Sequence, residues 1–314
     1  MGMDLFDGHC DTMTRCYRYG YGIRENFGNQ DLERAEYIGN WGQFFALFAD
    51  EVLKPGVTRR DVFRSEHAIF QREMALNQDR IVHCRTGREA EAAFAAGKRA
   101  AFLSIEGADL IDCSLDGLQE AWEMGVRAIN PVWNAANILC GTTEDETDKG
   151  LTPEGKAFVR KMDELHMLVD VSHMSDPGFW DVAELVKGPF MASHSCSRAL
   201  CGHVRNLTDD MFREIMRHNG VAGINMYRTF LGEPTTVDTV VDHIEHFLSL
   251  GGEKNVCMGG DLDGCYDEMP DGIDGIQDIG KIYERMLQRN YKEELVHAIF
   301  FDNMMRVVNE VCTM

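Results

Sequence analysis

Short apolar runs alternate with segments of helical period along almost the whole chain. The runs at 5–7, 44–48, 101–105, 126–132, 168–172, 190–193, 221–225 and 256–259 read as strands, bounded by glycine or polar residues. Between most of them the apolar positions recur at helical spacing. Thr152-Pro153 supplies an N-cap with proline at the first helical position, and Phe158, Met162 and Leu165 follow on one face. Thr208 precedes a helix whose apolar side is Met211, Phe212, Ile215 and Met216. Val237, Val240, Val241, Ile244, Phe247 and Leu248 form the next stripe, Ile279, Ile282, Tyr283 and Met286 another, and Val296, Ile299, Phe300 and Val307 the last. Strands that alternate with helices pair in parallel, because each crossover needs a helix. Eight such units predict a single (β/α)8 TIM-type barrel over residues 1–314, with an open doubly wound sheet as the alternative. Acidic, glycine-flanked stretches at 141–150 and 264–275 read as surface loops that can lie over a site at the barrel mouth.

Composition narrows the function classes more than the fold. The 314 residues are 44% hydrophobic and 26% charged, which suits a globular protein with a large core. A formal net charge of -21 argues against nucleic acid or an anionic membrane as partner. Ten cysteines include no C-x-x-C pair, and Cys140, Cys257 and Cys312 sit inside apolar runs, so they read as free thiols in a reducing compartment. The chain enters its first strand directly and has no run near the ~18 apolar residues of a membrane span. The expectation is a cytoplasmic protein.

The chemistry lies just after the strands. His9 and Asp11 follow the first, Glu106 the third, His173 the fifth, His194 the sixth and Asp261 the eighth. In a barrel the C-terminal strand ends converge on one face, where active sites are built. Each residue alone has a bland explanation: H-x-D as a chance pair beside a turn, each histidine as a hydrogen-bonded core residue, Glu106 as a helix cap. Three His, two Asp and one Glu gathered together would be very costly to bury without a cation. The set also exceeds one tetrahedral site. His9, Asp11 and one oxygen of Glu106 can serve one ion, and His173, His194 and the other oxygen a second. A bridging carboxylate sets two ions ~3.5–4 Å apart, with a hydroxide between them as nucleophile. Asp261 is left to take the proton during attack and hand it to a leaving amine.

With these stretches in view, the chain resembles the membrane (renal-type) dipeptidase family, the M19 metallopeptidases of the amidohydrolase superfamily. The matching stretches are Asp7-Gly8-His9-Cys10-Asp11, Glu106-Gly107, Asp170-Val171-Ser172-His173, Ser193-His194-Ser195, Arg205-Asn206 and Gly259-Gly260-Asp261-Leu262-Asp263-Gly264, in family order across nearly the whole chain. The resemblance implies a binuclear zinc dipeptidase: two Zn2+ per chain, Glu106 bridging, Asp261 as proton shuttle and Arg205 on the free carboxylate of a dipeptide. Guanidinium matches carboxylate in bidentate fashion, which fits that role. It also implies tolerance of a C-terminal D-residue and assembly as a homodimer. The secreted, lipid-anchored location of mammalian members does not carry over.

One stretch departs from the family. A histidine that touches the substrate carbonyl commonly follows the fourth strand; here Asn130-Pro131-Val132-Trp133-Asn134 puts Trp133 in that place. An indole N–H donates one hydrogen bond but carries no charge. Substrate contact there falls to Trp133 or Asn134, and oxyanion stabilisation rests more on the metals, or on Asn134 or Asn137. Tyr227 and Phe230, after the seventh strand, wall the pocket or pack; Asp263 orients a ligand or shapes its loop. His243 and His246 read as a solvated helix edge, and His83, His166, His203 and His218 have no assigned partner. The rivals to a dipeptidase are deacylation of an N-acyl amino acid, lactone or phosphoester hydrolysis, and a non-catalytic metal-binding barrel.

Overall fold

The computed structural model describes residues 2–49 and 53–314. Among them are nine strands: β1 (Leu5–Cys10), β2 (Trp41–Phe48), β3 (Ile81–His83), β4 (Arg99–Glu106), β5 (Val126–Asn130), β6 (Leu168–Val169), β7 (Met191–Ala192), β8 (Val221–Ile224) and β9 (Val256–Met258). All their pairings are parallel, in the order β6-β5-β4-β2-β1-β9-β8-β7. The ring closes where Asp170 bridges Met191, with Val171 N donating to Met191 O at 2.9 Å. Eight strands thus make the (β/α)8 barrel, and each of them overlaps one of the eight apolar runs in the sequence. The ninth, β3, lies outside the ring. It pairs with the start of β4 at Arg99–Ala101, before β5 takes over that edge at Leu103. Three residues are too few to carry a strand period, which is why β3 was not legible.

The helices are α1 (Thr12–Tyr19), α2 (Arg59–Leu76), α3 (Gly87–Ala95), α4 (Leu115–Glu123), α5 (Pro153–Glu164), α6 (Asp176–Leu185), α7 (Asp209–Arg217), α8 (Arg228–Leu231), α9 (Val237–Ser249), α10 (Gly280–Gln288), α11 (Glu293–His297) and α12 (Asn303–Val311). The predicted caps form: Thr152 accepts from Gly155 N and Thr208 from Met211 N. The last apolar stripe is one helical run in which α11 passes through a π-helical turn, Ala298–Asp302, into α12. No helix among the described residues is long and apolar enough to cross a membrane. All ten cysteines are free thiols.

Inside the ring the filling is uneven, and this lifts the site to one end. Phe6, Phe44 and Phe102 come from the adjacent strands β1, β2 and β4, with ring centroids 5.2–6.0 Å apart. Ala128, Leu168, Met191, Val221 and Cys257 complete the same buried cluster, one from each remaining strand, with Phe301 and Met304 of the C-terminal helical run packed beneath. This plugs the lower barrel and leaves the upper interior to polar side chains. A bulge then re-aims β1. Asp7 pairs with Gln43 but Cys10 with Phe45, so β1 advances one residue more than β2. An extra residue turns the following side chains to the other face. Phe6 and His9, three apart, would otherwise point to opposite sides; with the bulge both enter the barrel, and Cys10 joins the outer core.

The opposite wall depends on close backbone approach. A Cβ on Gly223 would sit 2.0 Å from Ser193 O, and one on Gly259 only 1.8 Å from the same oxygen. Backbone cannot yield as a side chain does, so Gly223→Ala is expected to destabilise the protein by about 1–3 kcal/mol, read as a lower thermal midpoint.

Candidate active site

Every sequence-assigned acid and imidazole arrives at the C-terminal mouth of the barrel. Glu106 ends β4 with its two oxygens divided. Oε2 lies 3.6 Å from His9 Nε2, while Oε1 lies 2.8 Å from His173 Nε2 and 3.4 Å from His194 Nε2. His9 Nε2 is also 3.5 Å from Asp11 Oδ1 and 4.0 Å from Asp261 Oδ1. The His9 and His194 rings lie 3.9 Å apart, centroid to centroid. His9, Glu106, His173 and His194 are buried; Asp11 and Asp261 keep partial exposure, toward the cavity.

The surroundings fix which nitrogen of each imidazole is bare. Ser193 Oγ donates its single proton to Asp170 Oδ2, so toward His194 Nδ1, 2.7 Å away, it can only accept. The His194 proton is therefore on Nδ1 and the lone pair on Nε2. Asn134 Oδ1 only accepts, so His173 carries its proton on Nδ1, at 3.1 Å, and its lone pair also on Nε2. These two Nε2 atoms lie 3.1 Å apart. Burial first, and then the charge of Arg205, push His173 down to about 4; burial and the charge of His9 hold His194 well below its ordinary value. Both rings are neutral, and their lone pairs converge on a carboxylate oxygen.

Electrostatics on the other side point the same way. Burial works against charge on both His9 and Glu106, yet their attraction prevails: His9 is raised well above its usual range and Glu106 held well below. Two carboxylates, Glu106 and Asp11, thus favour positive charge at the position of His9. His9 Nε2 and Asp11 Oδ1 are buried without a hydrogen-bond partner. His9, Glu106 and His194 bring ligand atoms within 4.8 Å of one another, and so do His9, Asp11 and Asp261. Imidazole nitrogens and carboxylate oxygens are the donors that zinc and similar divalent ions take. The residues present fit such ions.

Asp261 stands apart within the set. Its backbone has φ 54°, uncommon for a residue with a side chain, and its N–H donates to His9 O at 3.1 Å. This turn sends the carboxylate back over the cluster, where Oδ2 accepts from Asn225 Nδ2 at 3.1 Å. Burial, opposed by His9 and reinforced by Asp11 and Glu106, pushes its carboxyl up to about 7.

Above the cluster lies a cavity of about 520 Å³ that includes Trp133, Asn134, Arg205, Tyr227 and Phe230 in its wall. Arg205 is 3% exposed; Nη2 lies 3.0 Å from His173 Nε2, and Nε and Nη1 have no partner. Trp133 packs edge-on against Phe48, with centroids 4.4 Å apart. Both predicted loops reach the rim, through Glu144 and through Cys265, Tyr266 and Glu268.

Other sequence readings sort differently. Asn137 bonds Pro131 O and Leu139 N inside its own loop and Asp109 in the loop after β4, and it does not line the cavity. Asp263 shapes its loop: Oδ2 accepts from Thr12 Oγ1 and Oδ1 from Asn29 N, both at 2.6 Å. His243 is no solvated edge. It is fully buried, accepts from Ser197 N at 3.0 Å and faces Leu231 O at 3.0 Å, because its helix packs on the loops after β7 and β8. His203 lines the cavity and accepts from Arg205 N at 3.2 Å. Arg15, on α1, also lines the cavity; only its spacing of one helical turn beyond Asp11 could have signalled it.

Comparison with known proteins gives a family for the whole chain. The sequence profile described as membrane dipeptidase (peptidase family M19) matches residues 2–314. A dipeptidase, tcpJ, of Claviceps purpurea is 29% identical, covering 97% of this chain and 76% of its own. A metallopeptidase from Rhodobacter sphaeroides, solved with a phosphinate mimic of the dipeptide L-Ala-D-Ala, superposes with a TM-score of 0.88 at 25% identity, covering 99% of this chain and 100% of its own. Another solved structure, dipeptidase AC of family M19, gives 0.90 at 25% identity over the full length of both chains.

Proposed function

We propose that this chain, which belongs to the membrane dipeptidase family (peptidase family M19), hydrolyses the peptide bond of dipeptides with two zinc ions. The carrying observation is the divided carboxylate of Glu106, one oxygen toward His9 and the other toward His173 and His194. His9 and Asp11 would hold one ion, His173 and His194 the other, with Glu106 between them. When bound, the ions supply Lewis acidity to the scissile carbonyl and a water acidic enough to attack near neutral pH.

The remaining steps fall to the protein. Asp261, beside His9 and tethered by Asn225, accepts the proton of the attacking water and delivers it to the departing nitrogen. Arg205 receives the C-terminal carboxylate on the nitrogens that lack a partner. Placing that carboxylate beside His173 sets the scissile bond over the cluster and restricts substrates to short ones. Asn134 holds the His173 tautomer, and Trp133 covers the site from the Phe48 side. The dipeptide mimic in the Rhodobacter sphaeroides enzyme ends in D-Ala, which supports a site here that takes either hand at the C-terminal position.

Metal analysis of the purified protein, joined to a panel of L,L- and L,D-dipeptides, tests the reading. Two equivalents of zinc and turnover that disappears on chelation are expected; a metal-loaded protein inert toward the panel would refute it. The tautomer lock gives a finer test. Ser193→Ala frees His194 Nδ1 from Asp170, and such outer contacts typically govern metal affinity 10–100-fold. Competition with a chromophoric chelator should read a loss of about that size in one of the two ions.

A further inference from the structure

The cavity carries a second arginine that the dipeptidase reading leaves without a task. Arg15 lies one helical turn beyond Asp11 on α1, and its guanidinium lies over the face of Tyr266, with Cζ 4.0 Å from the ring centroid. Its side chain is 14% exposed, and its Nε is buried without a hydrogen-bond partner. The nearest carboxylate is Asp263, whose Oδ1 stands 3.7 Å from that Nε. Both oxygens of Asp263 are already engaged, at 2.6 Å, by Thr12 Oγ1 and Asn29 N. Asp263 thus offsets the charge of Arg15 without occupying its donors. Tyr266 is itself fixed, since its hydroxyl accepts from Arg18 Nη1. The guanidinium is held over the ring with donor capacity to spare at the cavity wall.

Its position in the ring gives this meaning. In the order β6-β5-β4-β2-β1-β9-β8-β7, β1 stands four strands from β6 in either direction. Arg15 follows β1, whereas Arg205 sits against His173, which follows β6. The two arginines therefore flank the acid and imidazole cluster from opposite sides of one cavity. With the C-terminal carboxylate on Arg205 and the scissile carbonyl over the cluster, the N-terminal residue extends toward α1.

We propose that Arg15 selects for an acidic side chain on the N-terminal residue, so that the preferred substrates are Asp-Xaa and Glu-Xaa dipeptides. This rests on the dipeptidase reading above. A guanidinium seated over an aromatic face and short of acceptors suits a carboxylate better than a neutral amide of the same shape.

The test compares kcat/KM of the zinc-loaded full chain for L-Glu-L-Ala, L-Gln-L-Ala and L-Ala-L-Ala. The Glu substrate should exceed its Gln isostere by about tenfold or more. Arg15→Gln should bring that ratio close to one, and Arg15→Lys should keep part of it, because the charge stays while the planar fork is lost. A wild-type ratio at or below one overturns the proposal and needs no variant, and so does a ratio unchanged by Arg15→Gln. Turnover of all three substrates without an acidic preference defeats this inference alone; turnover of none defeats the dipeptidase reading, and this one with it.

Discussion

Asp261→Asn should leave two zinc ions in place and lower kcat by about 10²–10⁴, the usual worth of a positioned acid–base group. Asn matches Asp in shape and keeps an oxygen toward Asn225, whose Nδ2 already donates to Asp261 Oδ2 at 3.1 Å. What the substitution removes is the ability to take and release a proton. The His9, Asp11, Glu106, His173 and His194 donors remain, so metal content should change little. KM should also move little, since Arg205 carries the grip on substrate. The strained backbone at φ 54° favours Asn as the replacement, because Asn tolerates the left-handed region better than other residues with a side chain. Stopped assays on metal-matched samples read the effect directly. Turnover within a few-fold of wild type would remove Asp261 from the proton path; parallel loss of zinc would recast it as a ligand.

The barrel was legible in the sequence because each of its eight strands is an apolar run, and five of them are followed by an acid or imidazole of the site. Phe44, Phe102, Val221 and Cys257 mark the filled lower ring, and His9, Glu106, His194 and Asp261 mark the polar upper one. Parallel topology then does the gathering, without any sequence proximity. Other features escaped. β3, at Ile81–His83, is too short to show a period. The bulge in β1 leaves no composition signal, yet without it His9 would face away from Glu106. His243 was misassigned because periodicity sees only its own helix, while its burial comes from the loops that Ser197 and Leu231 bring over it. The Asp170–Ser193–His194 relay lay inside quoted motifs, but only the fold brings the ends of β6 and β7 together to make it.

Arg205→Ala should raise KM for free dipeptides by about 10²–10³ and leave dipeptide amides, which lack the C-terminal charge, within a few-fold of their wild-type kcat/KM. A charge-assisted bidentate contact in a buried site can carry an effect of that size. Arg205 is buried, and desolvation lowers its pKa, a cost that the nearby carboxylates of Glu106 and Asp261, and a bound anion, can offset. Two of its nitrogens have no partner, so the substrate carboxylate completes the hydrogen bonding of a group that is otherwise under-satisfied. The third faces His173 Nε2 at 3.0 Å, and the variant could disturb that histidine. The amide control separates the two effects. Damage to the His173 side of the cluster lowers turnover of amides and acids alike, whereas loss of carboxylate recognition touches the acids alone. Arg205→Lys should fall between, since it keeps the charge and loses the planar fork. Equal losses on both substrate classes would take the carboxylate away from Arg205, and the N-terminal selectivity assigned to Arg15 would lose the anchor that orients it.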